Sequence, residues 1–366
     1  MSRSLHRDDF FQTTTSLEEN DRKAAKSRNT DGNPIKLQSK ILAIAADPLD
    51  CGSVYVAESA GTIKKVVLEV GPAAPLTSAC FSFDGKLLFA GCWDQSVWSW
   101  DVQSRHPKQK YEGHSDFVKS VACAKLQSQD ILISGGADAQ IIVFDISSGG
   151  RLFVLKGHMR GIQDLAIDPV PLEADSSRII LFSAGSDREI RQFEISFDVN
   201  QSSNSSPLIA HETSVYKLFF DVDGDLWTAS ADKTAKCLIR ENNWKPNLTL
   251  EHPDFVKDVV VHEQGGWVIT ACRDEEIRVW NKATGELYHT FSGHYEEVTG
   301  LLLVGSAVIS VSIDATIRRW SLKPTDLRSA KEAFENKGES HEQQPKKESL
   351  LTEEEERELA ELMGDE

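Results

Sequence analysis

The chain has 366 residues, a formal net charge of −17 and 40% hydrophobic residues. It is long enough to bury a large core and too acidic to wrap nucleic acid broadly, which takes Lys and Arg to displace counterions. Six cysteines (Cys51, Cys80, Cys92, Cys123, Cys237, Cys272) form no Cys-x-x-Cys pair, no apolar run approaches a membrane span, and Met1 to Thr30 has no secretory apolar core. No metal centre or cofactor is expected, and the expected compartment is a reducing one, cytoplasm or nucleus.

Residues 1–33 carry six acidic and six basic residues with little apolar content, the composition of a disordered arm. Inside it, Asp8-Asp9-Phe10-Phe11 sets two aromatics beside two acids, either a chance pair or a short anchor for another protein. From Val54 onward one phrase recurs. Its best copy is Gly293-His294 … Ser310 … Asp314-Ala315-Thr316-Ile317-Arg318-Arg319-Trp320. Others read Gly113-His114 … Ser134 … Asp138 … Phe144, Gly157-His158 … Ser183 … Asp187 … Phe193, Ala210-His211 … Thr228 … Asp232 … Leu238 and Glu251-His252 … Thr270 … Asp274 … Trp280. The aspartates Asp94, Asp138, Asp187, Asp232, Asp274 and Asp314 are 44, 49, 45, 42 and 40 residues apart, and a degenerate first copy has Ala60 in that place. A period of roughly 40–50 residues means a stacked or circular repeat architecture.

Each copy has an apolar run such as Val298–Leu303, a turn, a second run such as Ala307–Val311, and a third such as Thr316–Trp320 ending on an aromatic. Short, β-branched runs between turn signals are strands, and a fourth run, such as Arg151–Leu155, completes the unit. With His and Asp in register and one intact Trp100-Asp101 pair, the chain resembles the WD-repeat (tryptophan–aspartate) family over about residues 40–322. The resemblance implies an all-β fold: a seven-bladed propeller over 34–322, each blade a four-stranded antiparallel sheet. A closed ring needs a strand from elsewhere for its last blade. Pro34-Ile35-Lys36-Leu37-Gln38 is the candidate, expected to pair with the sheet containing Ile309 and Ile317.

Three departures stand out. Pro72 and Pro75 leave the first blade with three strands or a weak fourth, an edge that could accept a partner strand. Two long connections, Asp168–Ser177 and Phe197–Pro207, belong to one repeat and are expected on the face opposite the His and Asp turns, as tolerated insertions or as a lobe that meets a partner. Residues 323–366 hold 14 acidic and 7 basic residues and are expected as an acidic linker and tail. Thr352-Glu353-Glu354-Glu355 opens a short amphipathic helix at about 352–363 that is either a frayed tail or a segment docking into a partner.

His, Ser and Asp in each repeat look like a hydrolase triad, but one active site needs one triad and this chain has five sets. The resemblance implies buried structural tetrads instead. All four members survive twice, as His252, Thr270, Asp274 and Trp280 and as His294, Ser310, Asp314 and Trp320, with aspartate holding histidine, histidine meeting the hydroxyl, and the hydroxyl meeting the indole. The resemblance also points to a partner-binding face at the residues flanking the first-strand valine and preceding the aspartate. There Trp93, Phe117, Tyr216 and Phe255 would rim the channel with Lys119, Lys257 and Arg273. Aromatics with cations are the usual anchors of protein interfaces, and they suit an acidic or phosphorylated peptide. The function this implies is a non-catalytic scaffold or adaptor that assembles an intracellular complex. The alternatives are a non-catalytic subunit of an RNA-modifying or ribosome-assembly complex, or a propeller-type esterase.

Overall fold

The computed structural model describes residues 22–24, 26–27, 35–37, 39–46, 54–64, 74–170, 178–197 and 206–342. Residues 1–323 form one unit and residues 324–366 a second. The first unit is a propeller of seven antiparallel sheets. Blade 1 has Ile41–Ala46, Val54–Glu58 and Ile63–Lys64; blade 2 has Leu76–Phe81, Leu87–Cys92, Ser96–Asp101 and Pro107–Glu112. Blade 3 runs Val118–Leu126, Gln129–Gly136, Gln140–Asp145 and Arg151–Lys156; blade 4 has Ile162–Ile167, Arg178–Gly185 and Ile190–Ser196. Blade 5 comprises Val215–Phe220, Leu226–Ser230, Thr234–Ile239 and Lys245–Glu251; blade 6 comprises Val256–His262, Trp267–Cys272, Glu276–Asn281 and Leu287–Ser292. Blade 7 is Val298–Val304, Ala307–Ser312 and Thr316–Ser321, closed by Ile35–Lys36 on its outer edge, with Ile35 opposite Ile317 and Leu37 N–H donating to Ala315 O.

The first strands of successive blades touch in ring order, and blade 7 touches blade 1. The second strands are buried along nearly their whole length: every residue of Leu87–Cys92 and Leu226–Ser230 is inside. Outer strands such as Pro107–Glu112 alternate exposed and covered residues. The core is therefore a set of apolar slabs between neighbouring blades. Phe89, Tyr111, Val118 and Phe144 fill the slab between blades 2 and 3, and Trp227, Leu250, Val256 and Trp280 the one between blades 5 and 6. Cys92, Cys237 and Cys272 are buried, and burial pushes each thiol up to about 12.

The turn between the second and third strands explains the aspartate period. Its next residue is left-handed in six blades: Gln95, Ala139, Arg188, Lys233, Glu275 and Ala315 all have φ between 62° and 75°. Non-glycine residues resist that conformation. In each case the aspartate carboxylate accepts the backbone N–H two residues on (Ser96, Gln140, Glu189, Thr234, Glu276, Thr316), locking the turn. Blade 1 has Ala60 instead and places Gly61 at φ 77°, where no clamp is needed.

Blades 1 and 4 show three strands among the described residues; in blade 4 a single bridge, Ile190 to Leu208, stands where a fourth would begin. Most of the connections 168–177 and 197–207, together with Cys51 and Asp8-Asp9-Phe10-Phe11, lies outside the described residues. Two expectations are corrected. Within the arm read as disordered, 22–24 and 26–27 are described, helical at 22–24 and 26, and bonded to Glu275, Glu276 and Glu296. Net neutrality concealed a local basic cluster, Arg22, Lys23 and Lys26, that finds acidic partners. The segment read as a linker begins instead with an α-helix, α1, Pro324–Glu342. Proline suits the first helical turn, Asp326 complements the dipole there, and Ala330, Lys331, Glu332 and Ala333 are good helix formers. No helix among the described residues is long and apolar enough to cross a membrane. The amphipathic stretch at 352–363 lies outside the described residues.

Candidate functional site

The triad-like sets look most like chemistry. In blade 7, Trp320 Nε1–H donates to Ser310 Oγ at 2.9 Å, Ser310 lies 2.8 Å from His294 Nε2, and His294 Nδ1 lies 2.8 Å from Asp314 Oδ2. These partners define a neutral imidazole with its proton on Nδ1. Burial pushes the His294 pKa down and outweighs the pull of Asp314. Burial works to raise Asp314, but bonds from His294 and Thr316 hold its carboxyl below the usual range. His294 and Ser310 are both 0% exposed, so no substrate reaches the hydroxyl. Shortened chains repeat the motif as Asp138–His114–Ser134, Asp187–His158–Ser183 and Asp232–His211–Thr228. Glu189 lies close to His158 and Asp187, but it pairs with Arg191 and completes this same structural cluster.

Blade 6 departs from the expected tetrad. Trp280, Thr270 and His252 link at 2.9 and 2.8 Å, but His252 Nδ1 meets Leu250 O at 3.1 Å and not Asp274. Asp274 takes both arms of Arg278 instead, at 3.1 and 2.6 Å. The cause is local. In the other four blades with this histidine, the residue after it (Ser115, Met159, Glu212, Tyr295) donates its backbone N–H to the aspartate. Here that residue is Pro253, which has no N–H, and Arg278 offers a fork four residues on. Burial, then the nearby Arg278 charge, lowers His252 to about 4.

The candidate partner face is built by β-bulges. In all seven blades the first strand slips register immediately after its leading apolar residue, for example between Val215 and Lys217 and between Val256 and Asp258. A bulged residue is unpaired and its side chain is re-aimed. The seven are Leu42, Thr77, Lys119, Gln163, Tyr216, Lys257 and Thr299, all half-buried. Thr77 and Thr299 are tied to carbonyls of the neighbouring blades, Val118 O and Ile41 O, and Gln163 to Ser186. Lys257 lies 4.0 Å above the Tyr216 ring and 2.9 Å from Glu297. Lys119 has no carboxylate at ion-pair distance among the described residues, and burial, then the Lys257 charge, pushes its pKa down.

A second ring sits beside the first. The residue before each aspartate donates its N–H to the carbonyl of the residue preceding the bulged strand, as Arg273 does to Phe255 and Ala137 to Phe117. The Arg273 guanidinium therefore lies 5.2 Å over the Phe255 ring. Trp93 and Phe117, from adjacent blades, stack at 4.8 Å with planes 14° apart, and stay 42% and 38% exposed. The seven residues read from the sequence thus fall into three contacting groups, Trp93 with Phe117, Tyr216 with Lys257, and Phe255 with Arg273, plus Lys119. Glu297 flanks a first-strand valine like the other face residues, but its pairing with Lys257 is not legible to reasoning from aromatics and cations.

Seven short sheets in a ring, with buried hydroxyl–imidazole networks and an exposed aromatic face, define a β-propeller of the repeat type. The description "WD domain, G-beta repeat" matches residues 65–101, 105–145 and 244–281. A WD repeat-containing protein of Schizosaccharomyces pombe is 34% identical over 378 residues, covering 97% of this chain and 98% of that protein. The chain belongs to the WD-repeat family, whose members are generally non-catalytic scaffolds. More partial similarity runs to pre-mRNA-processing factor 19 of Bos taurus, 26% identical over 51% of this chain and 36% of that protein. The tRNA (guanine-N(7)-)-methyltransferase non-catalytic subunit wuho of Aedes aegypti is 27% identical over 65% of this chain and 56% of that protein.

Proposed function

We propose that this propeller is a non-catalytic adaptor of the cytoplasm or nucleus that holds an acidic or phosphorylated protein segment on the bulged face. The observation that carries the reading is Lys119: a half-buried ammonium that Lys257 repels and that only Asp116, beyond ion-pair distance, attracts among the described residues. A buried cation calls for a counter-charge, and a peptide carboxylate or phosphate would supply it while its apolar neighbours stack on Trp93 and Phe117. Arg273 over Phe255 offers a second cation, its side chain 52% exposed and only loosely paired with Asp254 at 4.0 Å. The names of two relatives, a pre-mRNA-processing factor and a non-catalytic methyltransferase subunit, support the narrower reading that the complex served is one that handles RNA.

The test is binding of acidic and phosphoserine peptide arrays to the full chain. Joint Trp93→Ala, Phe117→Ala and Phe255→Ala should abolish capture with an unchanged melt, and Lys119→Ala should remove the preference for phosphorylated over neutral peptides. Full retention by both variants refutes the reading.

A further inference from the structure

The same propeller carries an acidic patch that is occupied. On the turn of blade 6, Glu275 is almost buried and sits at φ 75°, where the turn itself makes no demand for a carboxylate. Arg22 Nη1 bonds to its Oε2, and Lys26 Nζ reaches the same oxygen at 2.8 Å. Lys26 also meets Glu276 Oε1 at 3.1 Å, and Lys23 meets Glu296 at 2.7 Å. The segment is helical at 22–24 and 26, with Ser27 N–H donating to Lys23 O at 2.8 Å. Helical spacing puts Arg22 and Lys26, four apart, on one face, and that face meets the glutamates.

We propose that Glu275, Glu276 and Glu296 form a docking site for a basic helical segment of a partner protein, which Arg22, Lys23 and Lys26 of this chain occupy in cis as a resident competitor. Two features point to a ligand beyond the resident. The basic side chains of the arm stay partly exposed, Arg22 at 47%, Lys23 at 33% and Lys26 at 23%, so salt screens their ion pairs and a competing segment can displace them. Glu276 Oε2 is buried and has no hydrogen-bond partner among the described residues, because the Lys26 ammonium serves only Oε1. A guanidinium in that place spans both oxygens of a carboxylate, so the site fits arginine at the Lys26 register better than the lysine it holds. The rim residues Trp93, Phe117 and Lys119 take no part.

The probe is a fluorescein-labelled peptide of residues 17–30 carrying Lys26→Arg, titrated by anisotropy into the full-length chain. A tethered segment acts at an effective concentration on the order of millimolar. If its own Kd is about 0.1 mM, it weakens binding in trans about tenfold. Arg22→Ala, Lys23→Ala and Lys26→Ala together should therefore tighten peptide binding about tenfold over wild type. Adding Glu275→Gln and Glu296→Gln to that background should abolish it, as should raised salt, while Lys119→Ala leaves it unchanged. The peptide with the original lysine should bind severalfold more weakly. Should the triple change disturb folding, Lys26→Ala alone gives a smaller shift of the same sign. Equal binding to wild type and arm variant, insensitivity to the glutamine changes, or no binding to the arm variant up to about 1 mM overturns the proposal.

Discussion

Two histidines that look alike in the sequence should couple to their aspartates very differently. His294 and Asp314 are in contact at 2.8 Å and both side chains are 0% exposed, whereas His252 and Asp274 share no bond. Hydrogen bonds to a charged partner are worth about 1.5–3 kcal/mol, and contacting pairs show interaction energies of about 0.5–3 kcal/mol in double-mutant cycles. A cycle of Asp314→Ala and His294→Ala should thus give a coupling of about 2 kcal/mol. The corresponding cycle of Asp274→Ala and His252→Ala should give a smaller coupling, about 0.5 kcal/mol, because a through-space attraction but no bond links the two. Asp274→Ala is still destabilising, because Arg278 is 9% exposed and loses both of its bonds. That cost belongs to the arginine and appears only in a third cycle, Asp274→Ala with Arg278→Ala. Urea unfolding with a common m-value reads all three. Equal coupling in the two histidine cycles would refute the account of Pro253 as the residue that releases Asp274.

Acid should weaken the fold through a buried histidine while most carboxylates are still ionised; Asp258, raised to about 6 by burial, works in the opposite direction. His252 titrates at about 4 in the folded chain and about 6.5 unfolded. Between those values the unfolded state binds the extra proton, so stability falls as pH falls, by up to about 3 kcal/mol for this group. Urea midpoints from pH 7 to 4 should show that limb, and His252→Gln should flatten it; an identical limb in the variant contradicts the assignment. Lys282 gathers Asp221, Asp223 and Glu263 at 3.0, 3.0 and 2.9 Å, joining the hairpins of blades 5 and 6. Lys282→Met leaves the nearly buried Asp221 beside two like charges and should cost about 2–3 kcal/mol, less than a fully buried pair because the lysine is partly exposed. A melt within a degree of wild type would contradict that role.

Periodicity carried the architecture. A left-handed turn residue needs a clamp or a glycine, and that need recurs once per blade, so the aspartates and the Gly61 substitute mark every turn in the one-dimensional string. In the five blades with the histidine, the hydroxyl four residues before the aspartate and the large apolar residue six after it keep fixed offsets because the sheet register sets them, while the histidine lies 20 to 29 residues before the aspartate across turns of variable length. What failed to show there depends on contacts between distant residues. Pro253 and Arg278 together decide the partner of Asp274, and neither departs from good repeat grammar alone. Bulges place Lys119, Tyr216 and Lys257 on one face, but only packing across blades sets Lys257 over Tyr216 and against Glu297. The basic cluster at 22–26 looks neutral in composition and acquires a seat only because folding brings Glu275 and Glu296 beside it, some 250 residues later in the chain. Local backbone demands repeat and can be read from sequence; the choice among charged partners is made by three-dimensional proximity, which spacing does not encode.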